Sequence, residues 1–110
     1  MKKTLLILVL SIGTFSFVQN KIDEVTIKTS SECNMCKERI EEKLNYTKGV
    51  TFVNLEVSTK LLNVKYKPEK ITIEKIKEII SNLGYDADEI KANLESQNKL
   101  PKCCKPNGMK

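Results

Sequence analysis

Between Val25 and Leu83 the spacing of apolar residues switches from two to about 3.6 and back, and that order admits few folds. Val25 and Ile27 alternate with Thr26 and Lys28 after Glu24, as in a strand with one buried face. Cys36, Ile40 and Leu44 then recur at i, i+4 and i+8, with Lys37, Glu38, Glu41, Glu42 and Lys43 turned outward. A helix is therefore expected, capped by Asn34 and ended by Gly49. The stretch Val50–Val57 alternates again through Val53, Leu55 and Val57, Ser58-Thr59-Lys60 turns the chain, and Leu62, Val64 and Tyr66 mark a third strand that Pro68 stops. Thr72 is placed to cap a second helix whose stripe is Ile73, Ile76, Ile79, Ile80 and Leu83, with Gly84 at its end. Tyr85 to Ile90 reads as a polar final strand at an edge.

The order β-α-β-β-α-β predicts an α+β, ferredoxin-like sandwich: a four-stranded antiparallel sheet with two helices on one face. It places Ser31-Glu32-Cys33-Asn34-Met35-Cys36-Lys37 at one end of the sheet, with Cys33 in the loop and Cys36 in the first helical turn. Both thiols are expected to be accessible there, so that replacing them would leave the fold intact. Free N–H groups and the positive end of the helix dipole favour thiolate over thiol at this place. Two soft sulfurs suit Cu(I) and Hg(II), which accept near-linear coordination, and Zn(II) or Cd(II) with further ligands. By itself a Cys-x-x-Cys pair fits a metal clip, a redox dithiol or a chance pair.

The ends of the chain narrow the context. Met1-Lys2-Lys3 leads into the apolar run from Leu5, the pattern of a secretory signal peptide, expected over residues 1–19 with cleavage near residue 20. Loss of Lys2 and Lys3 would reduce the net charge of +5 by two, and Lys and Glu are interspersed without a basic run. Neither nucleic acid nor a membrane surface is implied as a partner. The domain is expected over 20–92. Residues 93–110 lack a core pattern and are expected as a flexible tail carrying Cys103 and Cys104. The four cysteines form two close pairs, and a bridge within either would close almost no loop, so ligation or thiol exchange explains them better than stapling. Cys103 and Cys104 fit either an oxidised chain end or a second pair of ligands, acting in cis or between two chains.

From about Glu24 to Ala92 the chain resembles the heavy-metal-associated domain, the family of small copper chaperones, periplasmic mercuric-ion binding proteins and N-terminal modules of metal-pumping P-type ATPases. The likeness rests on Cys33-x-x-Cys36 after the first strand, Ile40 and Leu44, Gly49-Val50, and Leu83-Gly84-Tyr85-Asp86-Ala87. It implies that Cys33 and Cys36 are metal ligands and that Tyr85 stands beside them. Members usually carry Met two residues before the first Cys, packed inward to hold the loop; here that position is Ser31, and Met35 lies between the cysteines. Tyr85 could equally be a packing aromatic.

The expectation is an exported, periplasmic or secreted protein holding one Cu(I) on Cys33 and Cys36 and passing it by ligand exchange to a metal-transporting P-type ATPase or another metal-accepting protein. Hg(II) binding is the runner-up, and thiol–disulfide exchange the alternative of another class. The chain contains no His, and no Ser or Thr has a candidate base beside it, so an enzyme is not expected. A monomer is expected, with a metal-bridged dimer as its variant.

Overall fold

A computed structural model describes residues 21–105. The expected signal segment, 1–19, lies outside them. Three strands, β1 (Asp23–Lys28), β2 (Val50–Glu56) and β3 (Leu61–Tyr66), form an antiparallel sheet in the order β1-β3-β2. The register stacks Val25 and Val53 on either side of Val64, and Ile27 and Leu55 on either side of Leu62. These are the period-two residues of each strand, so one face of the sheet is apolar. Helices α1 (Asn34–Asn45) and α2 (Ile73–Leu83) bury Cys36, Ile40 and Leu44, and Ile76 and Ile80, into the same core as that face. Tyr66 is in the core, whereas Phe52 is exposed and carries the Lys65 ammonium 5.2 Å from its ring centre.

Local chemistry sets most boundaries. Thr72 caps α2 by accepting a hydrogen bond from the Lys75 N–H (3.1 Å), and Gly84 ends it at φ 107°, a conformation that costs glycine little. Asn34 does not cap α1. It is the first helical residue, Cys33 is the N-cap, and no side chain closes that end with a standard hydrogen bond. Two residues expected on the solvated side of α1 instead bind β2. The Lys37 ammonium donates to the Leu55 carbonyl (2.6 Å) and to Glu41 Oε2 (3.0 Å), and that carboxylate accepts the Leu55 N–H (2.8 Å). At an edge strand this pair replaces the missing neighbour and holds α1 in place.

The fourth strand is a correction. Segment 85–90 contributes only isolated bridges, Thr29 with Ala87 and Ala87 with Ile90. Asp88 explains why: its φ of 51° turns the chain, and its carboxylate accepts the Lys28 N–H (2.8 Å) while its own N–H donates to the Lys28 carbonyl (2.8 Å). One side chain thus does the work of a strand partner. Lys77, paired with Asp88 (3.3 Å) and Glu89 (3.0 Å), ties this segment to α2. The expectation of a tail without structure is corrected over 93–105. Asn93 caps a short helix α3 (Leu94–Asn98), Leu100 is buried, and a 3-10 turn spans Lys102–Cys104.

Candidate metal centre

The extended backbone of Cys33 (φ −154°, ψ 174°) delivers the chain to the start of α1, and its carbonyl accepts the Cys36 and Lys37 N–H groups that form the first turn. One turn of helix then brings the two sulfurs to 3.4 Å. Cys33 is half-buried, but Cys36 is wholly buried and belongs to the core, which corrects the expectation that both are accessible.

The tail closes over this pair. Cys33 Sγ lies 3.2 Å from Cys103 Sγ and 3.7 Å from Cys104 Sγ, and the latter two are 3.9 Å apart. All four cysteines are free thiols. Met35 Sδ is 3.9 Å from Cys103 Sγ, which puts a fifth soft atom at the rim. Cys33 is the hub, in contact with each of the other three sulfurs.

Ionisation is divided unequally among them. Burial pushes the Cys33 thiol up, but hydrogen bonding from Cys103, from the Cys36 backbone and from the Cys36 and Cys104 thiols outweighs it and brings the pKa down to about 7. Burial, followed by Cys36, pushes Cys104 well above the usual thiol range. Cys103 is raised by its hydrogen bond to Cys33. Of Cys33, Cys103 and Cys104, it is Cys33 that ionises first, with the two tail thiols as donors. In the reduced apoprotein, alkylation by iodoacetamide should begin at Cys33 and its rate should rise as pH passes through about 7, because thiolate is the reactive form. Cys104 should stay unmodified until much higher pH. Peptide mass mapping over a pH series checks the order, and first labelling at Cys104 would contradict it.

Tyr85 lies beside Cys36 and Cys104, although no strand begins there. It is fully buried, and burial, then Cys104 and Cys36, raise its pKa far beyond the phenol range. Its hydroxyl reaches no partner with hydrogen-bond geometry. A neutral phenol against the two inner sulfurs shields them from water and offers a donor to a thiolate. Ser31 is also fully buried. Its hydroxyl is 3.0 Å from that of Thr29, which also bonds the Lys60 carbonyl (3.0 Å). A buried polar pair holds the cysteine loop to the β2–β3 turn where an apolar side chain was the family expectation.

The donor set fits a soft ion. With metal–sulfur bonds of about 2.3 Å, two thiolates stand about 4.6 Å apart in a linear site, about 4.0 Å in a trigonal one and about 3.8 Å in a tetrahedral one. Cys33 to Cys104 and Cys103 to Cys104, at 3.7 and 3.9 Å, are close to the last two values. Among the described residues, Cys33, Cys103 and Cys104 have their sulfurs all within 4.8 Å of one another.

Comparison with known proteins agrees with this chemistry. The family model described as heavy-metal-associated domain matches residues 31–86. A copper-exporting P-type ATPase from Staphylococcus epidermidis is 36% identical over 70 residues, which are 64% of this chain and 9% of the ATPase. The chain thus spans less than a tenth of the length of that curated relative. The solved water-soluble region of the P-type ATPase CopA from Bacillus subtilis is 33% identical, with a TM-score of 0.59, covering 62% of this chain and 46% of that one. A structure described as the CopZ metallochaperone is 26% identical with a TM-score of 0.57, covering 59% of this chain and 98% of its own.

Proposed function

The chain belongs to the heavy-metal-associated domain family, and on that premise we propose that it carries a soft metal ion, Cu(I), on Cys33 and Cys36 and passes it to a metal-accepting protein without catalysing a reaction. The observation that supports this most is the pair of free sulfurs 3.4 Å apart at the N-terminus of α1, one half-exposed and one buried beneath Tyr85. An accessible thiolate can be approached by an incoming thiolate, while the buried one keeps its hold until the ion has a new partner. Transfer is then a sequence of ligand exchanges with no change in oxidation state. The copper pumps among the relatives make a metal-transporting P-type ATPase the natural acceptor. Export is part of the reading, on the strength of Met1-Lys2-Lys3 and the apolar run that follows.

The test is transfer itself. The reduced chain, loaded with one Cu(I), is mixed with the apo metal-binding domain of a copper-exporting P-type ATPase, and the two are separated and analysed for copper. Copper should redistribute between them under anaerobic conditions and settle at the same ratio from either starting side. If Cu(I) does not bind, and the dithiol instead cycles between oxidised and reduced forms with other proteins, the carrier reading is wrong and thiol–disulfide exchange replaces it.

A further inference from the structure

We infer that Cys103 and Cys104 are ligands in their own right, so that residues 93–105 form a folded strap that adds thiolates to the two-sulfur site on Cys33 and Cys36, with Cys33 Sγ near enough to both strap sulfurs to share one ion with them. The inference rests on the carrier reading and specifies its ligand shell.

The strap is positioned by contacts away from the sulfurs. The Asn93 N–H donates to the Ser81 carbonyl at the end of α2 (2.9 Å), and Ser81 Oγ donates to the Lys91 carbonyl (2.7 Å). The backbone of Ser96 and Gln97 passes so close to Gly84 that a Cβ there would lie 2.9 Å from the Gln97 nitrogen. Leu100 is in the core, and Pro101 starts the turn in which the Cys104 N–H meets its carbonyl (2.8 Å). Cys104 is left 1% exposed, packed with Cys33, Cys36 and Tyr85. A chain end that only happened to carry cysteines would have no reason to bury one at the existing thiol pair. The sulfur separations point the same way: they are far longer than the roughly 2.05 Å of a disulfide. Cys33 to Cys104 and Cys103 to Cys104, at 3.7 and 3.9 Å, approach instead the spacing of thiolates around a three- or four-coordinate ion.

The chemistry balances without an oxidant. When Cu(I) binds, each strap thiol that ligates loses its proton to solvent and forms one Cu–S bond. On handover an incoming thiolate forms a bond to the ion, one strap thiolate leaves and takes up a proton, and copper stays Cu(I). The strap thus slows spontaneous loss while leaving an associative route open to a partner.

X-ray absorption on the reduced, Cu(I)-loaded chain should show three or more sulfurs, and the Cys103→Ser/Cys104→Ser variant two sulfurs at a shorter distance. In competition with a chelator the variant should retain copper at least about tenfold less well, the loss of a local ligand at high effective concentration. Because Cys104 is buried, Cys103→Ser alone serves as the milder companion, and it should lose one sulfur from the shell and part of the retention with an unchanged circular dichroism spectrum. A two-sulfur shell in the unaltered chain, with the same chelator affinity with and without the strap thiols, overturns the inference but leaves the carrier reading standing. Undiminished binding after loss of Cys33 and Cys36 would overturn the carrier reading instead.

Discussion

Replacing Cys33 and Cys36 together by serine is expected to lower Cu(I) affinity by more than about a hundredfold, since loss of outer-shell partners alone can cost 10–100-fold. Cys33 should dominate. It touches all three other sulfurs, and without it Cys103 loses its contact with the helix pair. The single Cys33→Ser variant should therefore lose more affinity than either strap variant, and it should keep its stability because the residue is half-buried at a loop. Cys36→Ser differs. A hydroxyl there enters a fully buried apolar setting beneath Tyr85, at a cost of about 1–3 kcal/mol in folding. Cys36→Ala removes the ligand without adding the polar group and separates the two effects. Chelator titration paired with urea unfolding reads both quantities, and an unaltered affinity in Cys33→Ser would show that the ion sits elsewhere.

Gly84→Ala is expected to be strongly destabilising although it adds only a methyl group. Two independent penalties fall on one atom. At φ 107° an L side chain meets its own backbone, which costs on the order of 1–2 kcal/mol. The new Cβ would also stand 2.9 Å from Gln97 N and 3.0 Å from Gln97 Cα, where backbone must move, at a further cost of about 1–3 kcal/mol. Together these amount to roughly 10–25 °C in Tm for a domain of this size. Gly84→Asn tolerates the positive φ but keeps the clash, so it should recover only part of the loss. The same clash should lift α3 and with it the strap, so that backbone amides of residues 97–99 exchange faster and the chelator takes copper more readily. A variant with the original Tm and the original copper retention would mean that α3 does not rest on Gly84.

What the sequence by itself determined is whatever one element can encode within a few residues. The strands follow from alternation, the helices from the i, i+4 stripes of Ile40 with Leu44 and Ile76 with Ile80, and the two ends of α2 from Thr72 and Gly84. The proximity of Cys33 and Cys36 was legible for the same reason, because a spacing of three on a helix start already brings two sulfurs together. Much of what is decided by contacts distant in sequence escaped. Segment 85–90 has strand-like composition, yet the positive φ of Asp88 and its side-chain bond to Lys28, 60 residues away, replace the ladder. Lys37 and Glu41 look like an ordinary surface ion pair, and only the arrival of β2 gives them the Leu55 backbone to bind. The strap is the clearest case. α3 buries none of its own residues, so it leaves no periodic signal, and its place depends on the gap at Gly84, the burial of Leu100 and the meeting of Cys104 with thiols some 70 positions earlier. A helix of five residues is not stable alone. Its free energy comes from the surface it lands on, and that surface exists only once the chain has folded.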